Sequence, residues 1–194
     1  MKNVLIISSS PRKNGNSQSL CEEFERGAKE SWNLVKLVRL AEKKIGYCKA
    51  CDYCMENNSV CIQKDDMKEL LEDFKKADVI VLATPIYFYG ICSQMKTFID
   101  RTYPIWQSFG KKEVYYIISA GLDENIINRS LGDLNGFVEH FEKHEIKGRI
   151  YATDVTEAGK VRETPLMDTA CELLTTYRGG SFVITHQSNS KEVW

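Results

Sequence analysis

The stretch Val4-Leu5-Ile6-Ile7-Ser8-Ser9-Ser10-Pro11-Arg12-Lys13-Asn14-Gly15-Asn16-Ser17 decides the fold. Val4–Ile7 is apolar and rich in β-branched residues, with no alternation, as expected of a strand buried on both faces. Ser8–Ser17 then supplies hydroxyls, backbone N–H groups, the guanidinium of Arg12 and a turn at Gly15-Asn16. A helix follows from Asn16 to about Ser31, with Leu20, Phe24 and Ala28 on one face. A helix N-terminus carries unpaired N–H groups and partial positive charge, so this corner suits an anion such as a phosphate. An ordinary N-capped helix needs fewer polar residues than this junction offers.

Other phosphate loops are excluded by what they require. A nucleotide triphosphatase needs Gly-Lys followed by Ser or Thr, which the chain lacks. A dinucleotide fingerprint needs three spaced glycines, and only Gly15 is present. A small phosphatase needs a cysteine nucleophile in the loop, and there is none. A hydroxyl-rich loop for a terminal monophosphate remains.

Outward from this loop, strand and helix patterns alternate. Further strands are expected over Asn33–Leu40, Asp78–Thr84, Glu113–Ser119 and Gly148–Thr153. Helices are expected from Asp65 to Lys76, Cys92 to Tyr103, Leu131 to His144 and Thr164 to Arg178, the last stopped by Gly179-Gly180. Five strands with intervening helices imply an α/β fold: a doubly wound parallel sheet, flavodoxin-like, in the order 2-1-3-4-5. Residues 1–180 form one domain in this reading, and 181–194 a C-terminal tail. Ligands of such sheets sit beyond the carboxyl ends of the strands, where strands one and three part. The loops 8–17, 84–91 and 120–126 all fall on that rim.

The 194 residues suffice for a full core. A formal net charge of −1 gives no argument for nucleic acid or an anionic membrane surface. The apolar runs are too short to cross a bilayer, and Val4–Ile7 is no signal-peptide core, so a cytoplasmic protein is expected. Seven cysteines in such a chain point to metal or redox chemistry before disulfides.

Thr84-Pro85-Ile86-Tyr87-Phe88-Tyr89-Gly90 combines turn formers with flat apolar rings, and Ala120-Gly121 lets backbone approach a ligand face. Together with Ser9–Ser17 and Lys96-Thr97-Phe98-Ile99-Asp100-Arg101, these stretches resemble the NADPH-dependent FMN reductase group of flavodoxin-like proteins, nearest the iron–sulfur flavoprotein branch. The resemblance runs from residue 2 to about 155. It implies that Ser10, Arg12, Asn16 and Ser17 hold the phosphate of FMN. It implies that Pro85, Ile86, Tyr87 and Phe88 line the isoalloxazine, with Ala120 and Gly121 opposite. It also implies a homodimer or homotetramer, for which Tyr103-Pro104-Ile105-Trp106 is a candidate interface.

Cys48, Cys51, Cys54 and Cys61 are spaced C-x2-C-x2-C-x6-C, close enough to converge on one centre. Zinc more often takes two separated C-x2-C pairs. The resemblance implies one [4Fe–4S] cluster at these four positions; an open thiol loop is the alternative. Cys21, Cys92 and Cys171 read as small hydrophobes on helices. His140, His144 and His186 lie away from the rim, and no catalytic side chain is assigned, as suits chemistry carried by a cofactor. The reading is therefore an NAD(P)H-dependent FMN oxidoreductase with a small-molecule electron acceptor such as a quinone or flavin. One rival is a single-electron relay through a cluster to a ferredoxin-like partner; another is a flavodoxin-like module without turnover.

Overall fold

The computed structural model describes residues 1–176 and 182–186. In chain order the elements are β1 (Asn3–Ser8), α1 (Asn16–Glu30), β2 (Leu34–Arg39), a short α2 (Tyr53–Glu56), α3 (Met67–Lys76), β3 (Val79–Tyr87), β4 (Gly90–Ile91) and α4 (Ser93–Arg101). After a 3-10 turn at Tyr103–Ser108 come β5 (Lys111–Ser119), α5 (Glu124–Val138), β6 (Lys143–Ala152), α6 (Leu166–Thr176) and β7 (Phe182–His186).

The main sheet runs β2-β1-β3-β5-β6-β7, and each of these pairings is parallel. The expected five strands are the first five of this order. Two more strands were not expected. β4 folds back on the end of β3 as an antiparallel hairpin, and β7 adds to β6 at the far edge. Thus residues 182–186 of the expected tail are sheet. Residue 181, residues 187–194 and the expected stop at Gly179-Gly180 lie outside the described residues.

Alternate residues of each central strand face opposite helical layers. Leu5, Ile7, Ile80, Leu82, Tyr116 and Ile118 pack with Phe74 of α3, Phe98 of α4 and Phe137 of α5. Val4, Ile6, Val79, Val81 and Ile117 pack with Leu20 and Phe24 of α1 and Leu173 of α6. Because both faces are covered, these strands read as unbroken apolar runs. α1 and α6 approach so closely that a Cβ on Gly27 would lie 1.7 Å from Cys171 O, so only glycine fits there. On the other layer Phe74 meets Phe109 edge-on at 5.2 Å between centroids, and Phe109 meets Phe141 likewise at 5.2 Å.

One helix boundary differs materially from expectation. α5 starts at Glu124, because Asp123 caps it by accepting from Asn125 N at 3.0 Å. It ends at Val138, and the segment Lys143–Ala152 joins the sheet instead. The helix expected to run from Leu131 to His144 is therefore shorter at its end: His140 follows the helix and His144 lies in β6. A register shift between Val114 and Tyr115 on β5 interrupts the pairing of β6 and masks its strand pattern.

Candidate functional site

β1 and β3 part at the rim, and the loop after β1 fills the gap. Ser8, Ser9, Ser10 and Ser17 are buried, whereas residues 11–14 are exposed. Ser9 N and Oγ both donate to Ala83 O of β3, at 3.0 and 2.8 Å. Ser8 Oγ donates to Gln18 Oε1 at 2.5 Å. Two of the hydroxyls are thus structural. Arg12 N donates to Ser10 Oγ at 3.3 Å, which curls the loop over Gly15. A Cβ on Gly15 would stand 2.3 Å from Ser10 Oγ, so a side chain there would fill the concavity. α1 starts at this point with no side-chain cap and no acidic residue in its first turn. Ser17 Oγ is buried and has no hydrogen-bond partner among the described residues. An unpaired buried hydroxyl beside an uncapped helix N-terminus suits an anion.

Asn16 has a different job. Its Nδ2 donates to Val155 O at 3.0 Å and Glu157 O at 2.9 Å, and its Oδ1 accepts from Val161 N at 3.1 Å. Arg12 Nη1 donates to Thr156 O at 3.2 Å. The loop after β6, residues 153–161, therefore forms a wall of the site that sequence reading missed. Its polar string Thr153-Asp154-Val155-Thr156-Glu157 after an apolar strand was the available signal.

The second rim loop turns sharply. Thr84 and Ile86 are buried, while Tyr87 is 39%, Phe88 99% and Tyr89 55% exposed. Phe88 (φ 49°) and Tyr89 (φ 67°) occupy the left-handed region and form the two-residue tip between Tyr87 and Gly90. Aromatic residues in that conformation are strained. Ser130 Oγ donates to Tyr89 O at 3.3 Å, and the Arg129 guanidinium lies over the Tyr89 ring at 6.0 Å. Burial raises the pKa of the Tyr87 hydroxyl, while the Arg12 cation opposes it. Cys92, buried at the start of α4, donates from Sγ to Ser9 O at 3.3 Å, and its N–H donates to Thr84 Oγ1 at 3.3 Å. This buried thiol links both loops. Ala120 is buried, with its N–H bonded to Ala152 O; Gly121 is exposed beside Thr156.

The cysteine segment lies on the α4–α5 layer. Arg101, at the end of α4, is 2% exposed and forms a two-pronged pair with Asp65, at 2.7 and 2.9 Å. Its Nη1 also donates to Gly46 O at 2.6 Å, and Gly46 N donates to Asp65 Oδ2 at 3.0 Å. These bonds close residues 46–65 into a loop whose neck is clamped by the buried Arg101. Cys48, Cys51, Cys54 and Cys61 all line one cavity of 730 Å3, which Trp106, Phe137 and His140 also line. All four cysteines carry free thiols. Burial raises the Cys54 pKa, and the nearby Cys61, Cys48 and Cys51 add to that. The thiols surround the cavity rather than meet in it: among the described residues no three His, Cys, Asp or Glu side chains are gathered as metal ligands. Cys21 and Cys92 are buried, and Cys171 is half-buried on α6. No helix among the described residues is long and apolar enough to cross a membrane.

The sequence model described as NADPH-dependent FMN reductase matches residues 2–148. An iron–sulfur flavoprotein of Archaeoglobus fulgidus is 39% identical over 104 residues, 54% of this chain and 46% of that protein. An FMN-dependent NADH:quinone oxidoreductase of a Bradyrhizobium species is 35% identical over 80 residues, 39% of this chain and 40% of that protein. The match thus spans under half the length of each of these curated relatives. Among solved structures, the Trp repressor binding protein from Bacillus subtilis superposes with a TM-score of 0.65, covering 89% of this chain and 98% of that one. At 17% identity that likeness establishes the fold.

Proposed function

The chain belongs to the NADPH-dependent FMN reductase family, and from that membership we propose that it is an NAD(P)H-dependent FMN oxidoreductase that delivers electrons to a small acceptor such as a quinone or flavin. The residues present fit the cofactor's phosphate. The buried, unpaired Ser17 Oγ is the observation that carries this reading, supported by the concavity at Gly15 and the uncapped start of α1. Ser10, Arg12, Ser17 and the first N–H groups of α1 hold the phosphate. Asn16 adds its backbone N–H, while its side chain fixes the 153–161 wall. Pro85, Ile86, Tyr87 and Phe88 flank the isoalloxazine on one side and Ala120-Gly121 on the other. FMN supplies the hydride and electron chemistry; the protein binds, orients and excludes water. The relative named as an FMN-dependent NADH:quinone oxidoreductase supports a quinone-class acceptor. The exposed Tyr103 and Trp106 support self-association as a homodimer or homotetramer, and we place the protein in the cytoplasm.

The test is direct. The protein is denatured and the released cofactor identified by chromatography, and NAD(P)H oxidation is followed with a quinone present. FMN and acceptor-dependent turnover are expected. Stoichiometric FAD, or no binding of added FMN, overturns the assignment.

A second reading has its own support: four thiols line one cavity, and a relative is named an iron–sulfur flavoprotein. Four thiols in one loop are the donor chemistry of a [4Fe–4S] cluster, and in this reading Cys48, Cys51, Cys54 and Cys61 would hold it. Such a cluster supplies single-electron transfer to a ferredoxin-like partner. Anaerobic reconstitution with iron and sulfide should load about four irons per chain in the parent and lose them in Cys51→Ala. No uptake, or equal uptake by both, removes this reading and leaves the flavin reading standing.

A further inference from the structure

The aromatic hairpin loop at the end of β3 stands on two feet, Thr84 and Cys92, and buried hydrogen bonds join these to each other and to Ser9. Ser9, Thr84 and Cys92 are all fully buried. Cys92 N donates to Thr84 Oγ1 at 3.3 Å, and Thr84 Oγ1 donates in turn to Pro85 O at 2.9 Å. Cys92 Sγ lies 3.0 Å from Ser9 Oγ and 3.3 Å from Ser9 O. The Ser9 hydroxyl proton goes to Ala83 O, so the thiol donates and the two Ser9 oxygens accept. Thr84 Oγ1 stands 3.5 Å from the same sulfur. A chain of buried polar contacts therefore runs from Ser9, next to Ser10, through Cys92 and Thr84 to Pro85. The bonds from Ser9 to Ala83 only continue the pairing of β1 with β3 and stop short of residues 85–88. Cys92 offers α4 no side-chain cap, so the start of that helix does not account for the thiol.

We infer that Cys92 is a positioning residue of the flavin site: its thiol sets the spacing between the phosphate loop, residues 8–17, and the aromatic loop, residues 84–91, so that one FMN engages both at once. This rests on the FMN reading above and deepens it. FMN carries its ring system and its phosphate on one short chain. A ligand with two linked groups outdoes its separate halves only where the two subsites stand at the matching distance. When the subsites drift, that gain is lost, although each subsite still holds its own half. A buried polar network that is fully satisfied fixes such a distance. A residue that merely fills the core has a different signature, because its loss loosens both subsites together.

The experiment compares the parent with Cys92→Ala, Cys92→Ser, Thr84→Val and the double variant Cys92→Ala/Thr84→Val. Each full chain, freed of flavin, is titrated with FMN and with riboflavin, which lacks the phosphate, and binding is read by flavin fluorescence. Cys92→Ala should bind FMN about threefold to tenfold more weakly, the scale of one lost hydrogen bond, and riboflavin as the parent does. Cys92→Ser keeps a donor and should keep the parent's ratio of FMN to riboflavin affinity. Thr84→Val cuts the same chain at its other foot and should lower the ratio too. The double variant should lose no more than the worse single one, because both act on one network. An unchanged ratio in Cys92→Ala and Thr84→Val, or equal weakening of both flavins, overturns the inference and leaves Cys92 a core residue, with the FMN reading intact. Riboflavin that fails to bind the parent overturns it as well, because each loop must hold its own half. A parent that binds no FMN overturns the FMN reading itself, and this inference with it. If Cys92→Ala does not fold, Thr84→Val and Cys92→Ser still decide: the ratio must fall in the first and hold in the second.

Discussion

Ser17 and Asn16 are neighbours with opposite bookkeeping. Ser17 Oγ has no partner among the described residues, whereas the Asn16 amide makes three bonds to the 155–161 wall. Ser17→Ala should therefore leave thermal stability unchanged and weaken FMN binding. A hydrogen bond to a charged group contributes roughly 1.5–3 kcal/mol, a tenfold loss or more, and Arg12→Ala should cost a similar amount. Titration of the protein with FMN and a melting curve check both, and unchanged affinity in the two variants moves the phosphate elsewhere. Asn16→Ala should instead unfold more easily, by about 1–3 kcal/mol, because buried carbonyls lose their donor. The hydroxyl-rich loop was legible because residue type alone suggests phosphate. The partition of labour inside it was not, since the Asn16 partners lie 139 to 145 residues further along the chain. Likewise Ser9 reads as one more phosphate hydroxyl, yet it is spent on Ala83 O of the adjacent strand.

At the scale of elements, the β3–β4 tip holds two aromatic residues where Asn-Gly is the favoured pair. Each strained residue costs on the order of 1–3 kcal/mol, and such strain persists where it serves function. Replacing Phe88-Tyr89 by Asn-Gly should raise the melting temperature and lower acceptor turnover, because the Phe88 ring assigned to flank the ligand is gone. A lower melting temperature would show that Ser130 and Arg129 contribute more than the strain removes. The sequence marked this stretch as an aromatic turn; it did not mark a hairpin, because neither tip residue is a turn former. The neck of the cysteine loop yields a pH dependence. Burial works to raise the Asp65 pKa, but hydrogen bonds from Arg101 and Gly46 N, with the Arg101 charge, bring it below its ordinary 3.8. A carboxylate with a lowered folded pKa stabilises the neck above its unfolded value, and that contribution disappears as pH falls through the folded one. Amide protection within residues 46–65 should accordingly hold near about pH 5 and fall away below about pH 3.8 in the parent, the ordinary range of an aspartate, but be pH-independent in Asp65→Asn. Equal pH dependence in both proteins would place the acid-sensitive group outside the neck. Cysteine spacing made the loop visible from sequence, whereas its closure depended on Arg101, a residue of a helix 36 positions away from Asp65.

The whole molecule is a parallel sheet whose order follows from chain direction and crossover hand, which is why its first five strands could be placed from pattern alone. The far edge could not. The segment around Phe182-Val183-Ile184 is a short apolar run in a polar stretch, and nothing local distinguishes an added strand from a tail. Pairing from Gly148–Phe182 to Ala152–His186 covers the outer edge of β6. β6 also leads into the 153–161 wall that Asn16 grips, so the far edge and the candidate site share a strand. Deleting residues 181–194 should leave the sheet up to β6 folded but with that edge bare, an invitation to pairing with another chain. In a chain of this length each 1 kcal/mol lost lowers the melting temperature by about 2–4 °C, so a fall of several degrees is expected, with concentration-dependent aggregation. FMN affinity should fall less than in Ser17→Ala, because the phosphate loop sits between β1 and β3 and is tied to the β6 side of the sheet through the loop beyond β6. Calorimetry, light scattering and an FMN titration on the shortened chain measure all three. An unchanged melting temperature would mean that β7 adds no stability to the sheet; a loss of FMN binding as large as in Ser17→Ala would mean that the far edge holds the 153–161 wall in place and belongs to the site.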